Sequence, residues 1–230
     1  DVYKRQALFS LIAAVLPIER FLLTDATLAS RIWWAMIAFL VLCAVGGRVA
    51  RPPFPFVWVS ALVLIPLGGL ISGTTTNIES SLQVALPLAL MVGLAPFVLR
   101  YYVLRSRAFL WVVGGAFVAA QSFSAAMGMW QLAGGQPFET TLIFGRTTGL
   151  AGHPNVLGIM AVIAMLGLLA ALPRVRRGVK LVVVALLVLN GLALVFSGSL
   201  SAMLAATTGL VVVLAVKRRL VATFVTVVLG

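Results

Sequence analysis

The residues best suited to chemistry lie in one polar stretch, residues 145–158, which reads GRTTGLAGHPNVLG. It contains Arg146 and the single histidine of the chain, His153. The planar guanidinium of arginine matches a phosphate or pyrophosphate bidentately, and Thr147 and His153 add donors. Pro154 suits the first turn of a helix, whose free amides attract anions. The stretch predicts a pyrophosphate site, and the alternative is an ordinary loop whose arginine reaches lipid headgroups.

The amino-acid composition predicts the environment in which such a site would lie. The chain is 62% hydrophobic and 10% charged, against about 45–50% and roughly 25% in a soluble domain. This predicts a polytopic membrane protein and an all-α fold. The net charge of +12 is carried by short loops between apolar runs, which is typical of orientation signals rather than of nucleic-acid binding. One histidine and one cysteine cannot form a zinc or iron–sulfur centre, so no metal is expected.

The apolar runs predict a bundle of about eight complete spans and a truncated ninth. The complete spans are expected at 7–23, 31–47, 55–73, 82–99, 108–132, 156–172, 181–196 and 202–216. Residues 1–6 are interpreted as a non-native start, and residues 7–132 as N-terminal transmembrane helices. Residues 133–155 form a loop, and residues 156–230 form a further set of transmembrane helices that the chain end truncates.

The basic residues give the predicted orientation. With the N-terminus in the cytoplasm, all but three of the 17 basic residues face the cytoplasm. The exceptions are Arg20, Arg31 and Arg146. This places the loop 133–155 on the outer face, together with the turn between the seventh and eighth spans. Ser197 and Ser199 in that turn are predicted to line the same cavity as Arg146 or to cap the eighth helix.

A second polar feature lies within the fifth span. Gln121, Ser124, Gly128 and Gln131 recur at three- and four-residue steps and therefore share one helix face. Such a face predicts contact with the protein interior or a wet cavity. Packing of small residues between helices is an equally good interpretation.

Two of these elements together resemble the core of the O-antigen ligase and O-antigen polymerase family of bacterial envelope enzymes. In that family an Arg-x-x-Gly…Pro-Asn segment enters a helix, and a Ser-Arg-Gly-like turn follows two spans later. Arg146, Gly149, Pro154 and Asn155 match the first element. The turn 197–201 matches the second in part, with Leu200 where the family commonly has arginine.

The resemblance implies transfer of a glycan from undecaprenyl pyrophosphate at the periplasmic face of the bacterial inner membrane. The acceptor would be a lipid A core, another lipid-linked glycan or a protein, and neither a metal nor another cofactor is implied. Arg146 would be the catalytic residue that stabilises charge on the leaving pyrophosphate. The implied substrate-binding residues are Arg146, Thr147, Gly149, His153, Asn155, Ser197 and Ser199. The general base is expected on a large outer loop beyond Gly230, so His153 is not given that role.

Two other functions fit parts of the same pattern. The polar face of the fifth span and His153 would also suit a small-solute or anion transporter. A third interpretation is a lipid-linked glycosyltransferase related to the cell-shape and division polymerases. The sequence has no matching outer acidic motif, which argues against this interpretation.

Overall fold

The chain is all-helical in the parts that the structure, a computed structural model, describes: residues 2–18, 26–71 and 78–216. The helices are α1 (Val2–Val15), α2 (Ala26–Val45), α3 (Pro55–Ile71), α4 (Ile78–Arg105), α5 (Arg107–Leu132), α6 (Pro154–Ala171), α7 (Arg177–Ser197) and α8 (Leu200–Val216). Short 3₁₀ turns follow at Leu16–Ile18 and Pro137–Glu139. The predicted all-α fold is confirmed, and α1 continues through residues 2–6. The predicted ninth span and Arg20 lie outside the described residues.

Four of the described helical segments are long and apolar enough to cross a membrane: Leu88–Arg105, Arg107–Leu132, Pro154–Ala171 and Arg177–Ser197. Four further apolar segments are shorter, namely Gln6–Ile18, Trp34–Val45, Pro55–Gly68 and Leu200–Val212. A perpendicular crossing needs about 20 helical residues. Membrane-spanning helices are therefore supported by length and composition, whereas the count of eight complete spans is not confirmed.

Helix α7 illustrates why these helices suit a bilayer. Its inward side buries Val183, Ala193 and Leu194, while Val188 and Val195 on the opposite side are more than half exposed. A helix that is apolar all round needs an apolar environment on both sides. At 1.5 Å per residue its 21 residues extend about 32 Å, close to the hydrocarbon thickness of a bilayer.

By internal contacts the chain divides into two units. In the unit formed by residues 1–24 and 112–230, α6 packs against both α7 and α8 and touches the 3₁₀ turn at Leu16–Ile18. Its core joins small side chains from α5 to α8, among them Ala125, Ala161, Ala193 and Ala202. These small residues let the helices approach closely, as is common in membrane bundles.

The other unit comprises residues 25–111, in which α4 packs against α2 and α3. A Cβ at Gly93 would lie 2.4 Å from the side chain of Leu62, so this glycine permits the close α3–α4 contact. Cys43 is buried, with its Sγ 3.8 Å from the hydroxyl of Tyr102. The candidate site lies in the first unit.

Candidate functional site

The loop between α5 and α6 turns back on itself in a two-residue hairpin at Ile143–Arg146. Ile143 and Arg146 exchange both backbone hydrogen bonds, each 3.0 Å long. The central residues Phe144 and Gly145 have φ of 50° and 74°, as in the turns that best match the twist of a hairpin. The chain then docks on the end of α7, where the N–H of Thr147 donates to the carbonyl of Phe196 at 3.1 Å.

Gln131, at the end of α5, holds the next part of the loop. Its Oε1 accepts from the backbone N–H groups of Thr148 and Gly149, at 3.0 and 3.1 Å. Its Nε2 donates to the hydroxyls of Thr140 and Thr148, at 2.8 and 3.0 Å. Gln131 is only 2% exposed. The backbone N–H and C=O groups of a buried loop need hydrogen-bond partners. The Gln131 amide is the partner of two such N–H groups.

Ser124 secures the loop one residue further on. Its Oγ accepts from the N–H of Leu150 at 2.9 Å. Gly149 passes so close to α5 that an added Cβ would meet the carbonyl oxygen of Ser124 at 2.5 Å, and its φ is 52°. Both the left-handed backbone and the close approach require glycine here.

Arg146 connects the loop to two helix ends. Its Nε donates to the carbonyl of Ser197 at 2.6 Å, and its Nη2 donates to Oδ1 of Asn155 at 2.8 Å. Ser197 is the last residue of α7, where the helix dipole is negative and a cation is favoured. Within the described part of the chain no carboxylate pairs with this arginine, and neither hydrogen of Nη1 has a partner there.

The α6 N-terminus lies on the other side of Arg146. His153 is the N-cap, with extended backbone angles, and its Nδ1 accepts from the N–H of Asn155 at 3.1 Å. This bond requires an unprotonated Nδ1, so the ring proton is assigned to Nε2. His153 and Asn155 are both exposed. Together they present an imidazole N–H and an amide NH₂ beside the guanidinium.

The turn between α7 and α8 is built by Ser197, Gly198 and Ser199. The Ser197 hydroxyl donates to the carbonyl of Leu194 at 2.7 Å, and Gly198 takes φ of 56° to end α7. The Ser199 Oγ accepts from the N–H of Ala202 at 3.3 Å and so caps α8. The capping interpretation of Ser199 is thereby confirmed, and Ser197 contributes its carbonyl to Arg146 rather than its hydroxyl.

The structure brings some predicted site residues together and separates others from them. Arg146, Asn155, His153 and the Ser197 carbonyl form one connected group through the bonds above. Thr147 and Gly149 are buried within the protein, so a direct substrate contact by either would require the loop to open. Their assignment as substrate-binding residues stays a prediction.

The residues that hold the loop were recognised from sequence only as a polar face. The sequence predicts that Gln131 and Ser124 line a cavity or a helix interface, and it does not identify Thr140. Their signal was the spacing along α5 combined with a long loop whose backbone needed buried partners. Gln121 on the same face is fully buried, and neither its Nε2 nor its Oε1 has a partner in the described structure.

No protein-family model, curated protein or solved structure matches this chain. Within the described residues no cluster of histidine, cysteine and carboxylate side chains is suited to a metal ion. Two features of the molecule therefore bear on its function: the geometry around Arg146 and the membrane character of the helices.

Proposed function

We propose that the group around Arg146 is the lipid-pyrophosphate site of a membrane glycosyltransferase resembling the O-antigen ligases and polymerases. The observation that carries the proposal is the contact of Arg146 with both Asn155 and the Ser197 carbonyl. These residues belong to the two sequence elements that suggested the family, which are separated by a span, a basic loop and a second span. Their convergence on one arginine is expected of two halves of one site.

The free donors at this group suit an anion. Nε and one hydrogen of Nη2 are engaged, which fixes the guanidinium plane while leaving Nη1 and the second Nη2 hydrogen available. The Nδ2 of Asn155 and the Nε2 of His153 are additional donors at the start of α6. A fixed arginine beside a helix N-terminus is a favourable arrangement for phosphate oxygens, because no further ordering is needed on binding.

In the proposed reaction an acceptor hydroxyl attacks the anomeric carbon of the donor glycan. The bond from that carbon to the pyrophosphate oxygen breaks, and the pyrophosphate leaves with the electron pair. Arg146 stabilises the charge that develops on that oxygen. The proton of the acceptor passes to a general base. We do not assign this role to His153, since its Nδ1 is occupied in capping α6 and its Nε2 carries the proton.

The proposal includes the finer membrane arrangement predicted from sequence. About eight complete spans cross the inner membrane and a truncated ninth follows, with the N-terminus in the cytoplasm and the Arg146 loop in the periplasm. It is supported by the placement of Arg174, Arg176, Arg177 and Lys180 at the far end of α6 from Arg146. The 18 residues of α6 separate the two ends by about 27 Å. A periplasm-active reporter fused after Gly135 should be active, and one fused after Arg177 should not.

One observation favours the alternative of a small-solute or anion transporter. Gln121 lies within a membrane-spanning helix with both amide atoms unpaired, and polar groups at such positions often mark a transport path. Against this, Ser124 and Gln131 on the same face are engaged by loop backbone. Solute uptake into vesicles from cells with and without the protein decides this alternative; equal uptake would exclude it.

The glycosyltransferase proposal is tested in the full-length gene with Arg146→Ala and Arg146→Lys. Surface glycan transfer should be lost in the first variant and poorly restored in the second, because lysine lacks the bidentate fork. Arg174→Ala is a matched control, since Arg174 also donates to a helix carbonyl, that of Ala170. Membrane levels of all variants are measured in parallel. Full transfer by both Arg146 variants would refute the pyrophosphate role.

A further inference from the structure

The tip of the Ile143–Arg146 hairpin is occupied by a residue that serves neither the turn nor the protein core. Phe144 is 98% exposed. It has φ of 50°, a region in which residues with a Cβ are disfavoured and in which asparagine, aspartate or glycine is usual in this turn. The following Gly145 has open space around it. A large aromatic side chain at this position therefore needs an explanation outside the described fold.

The surroundings of Phe144 indicate what covers it. Trp130, close to the end of the membrane-spanning α5, is 54% exposed, and tryptophans at span ends favour the headgroup zone. On the same helix Phe123 is exposed, and its ring lies 6.5 Å from that of Phe138 in the loop. The apolar surface of α5 thus continues into the loop that carries the hairpin.

The adjoining ends of α7 and α8 also expose apolar side chains. Phe196 at the end of α7 and Leu200 at the start of α8 are both exposed. Thr147, directly after the hairpin, is hydrogen-bonded to Phe196. Exposed apolar side chains therefore occur at the ends of α5 and α7, two helices long and apolar enough to cross a membrane, and lipid is the environment that suits them.

We infer that the Ile143–Arg146 hairpin inserts Phe144 into the boundary between lipid headgroups and acyl chains. Arg146 closes the same two-residue turn, so its backbone lies about one residue rise, roughly 3 Å, behind the tip. Interfacial segments bury their apolar side to a depth of about 5–10 Å at this boundary. Insertion of Phe144 would accordingly set Arg146 at the level of lipid phosphates. This inference depends on the membrane character of the helices and not on the proposed reaction.

The test uses the full chain in lipid nanodiscs, with Cys43→Ser as the background. A solvatochromic fluorophore is attached at Phe144→Cys and, as a control, at Gln136→Cys, an exposed polar position of the same loop. We expect a blue-shifted emission at position 144 that is quenched by nitroxides on the acyl chains, and a water-like emission at position 136. A water-like emission at both positions would overturn the inference. So would a blue shift at 144 that acyl-chain nitroxides do not quench, because protein would then cover the tip.

A second variant separates lipid contact from folding of the hairpin. With the fluorophore at Leu142→Cys, Phe144→Asn keeps a residue that suits the turn and removes the aromatic side chain. We expect loss of acyl-chain quenching at position 142, while the thermal unfolding temperature is unchanged or raised. Unchanged quenching in Phe144→Asn would contradict a role of Phe144 in insertion.

Discussion

Replacement of Gln131 by leucine tests whether one buried amide holds the loop that carries Arg146. The change removes the acceptor used by the N–H groups of Thr148 and Gly149. A buried donor left without a partner costs about 1–3 kcal/mol, so two of them destabilise the closed loop by about 2–6 kcal/mol. With about 1.4 kcal/mol for each factor of ten, the loop should open at least roughly 30-fold more often.

Hydrogen exchange measured by mass spectrometry on residues 141–152 in nanodiscs reports this opening directly. Gln131→Leu should accelerate exchange of the Thr148 and Gly149 amides, while Gln131→Glu, which keeps both acceptor bonds, should have a smaller effect. Gln136→Leu is the matched control, because Gln136 is an exposed glutamine of the same loop whose side chain makes no capping bond. Wild-type protection in Gln131→Leu would refute the assignment of this residue as the holder of the loop.

Three further predictions concern thermal or chemical unfolding of the purified protein. Gly149→Ala should destabilise the protein by about 2–5 kcal/mol, because the added Cβ would meet the Ser124 carbonyl at 2.5 Å. Gly145→Ala, in open space, should cost only about 1–2 kcal/mol. Equal losses in the two variants would contradict the close approach of Gly149 to α5. His153→Ala should lower the free energy of unfolding by about 1 kcal/mol through loss of the α6 N-cap, and His153→Asn should retain that stability. An equal loss in both variants would show that the cap does not stabilise α6. Asn190→Leu should change stability by less than about 1 kcal/mol, since it loses the amide bonds to the Ser122 hydroxyl and the Leu186 carbonyl but also removes an unpaired buried oxygen; a large loss would contradict this balance.

Much of the fold could be predicted from hydrophobicity. The apolar runs located α1 to α8 because a helix that crosses lipid must satisfy its own backbone and must be apolar over its length. The boundaries were less accurate: α4 extends over Ile78–Arg105, beyond the predicted 82–99. The count of eight complete spans stays a prediction, since four of the described segments are long and apolar enough to cross a membrane and four are shorter.

The residues of the candidate site could be predicted from the sequence, whereas most of the contacts between them could not. Charge counting placed Arg146, Asn155 and Ser197 in one layer, and the structure joins them. Sequence did not reveal that Arg146 uses the Ser197 carbonyl, since every residue has one. Nor did it show that Thr147 turns inward, because that depends on the hairpin and on the docking of its backbone to Phe196.

The most direct test of the central claim is the affinity of the full-length protein for undecaprenyl pyrophosphate in nanodiscs. Loss of hydrogen bonds to a charged group costs about 1.5–3 kcal/mol, so Arg146→Lys should weaken binding by about 10- to 100-fold. The matched Arg174→Lys variant should bind as the wild type does. Equal affinity of the wild type and Arg146→Lys, or an equal loss in Arg174→Lys, would contradict a pyrophosphate site at Arg146.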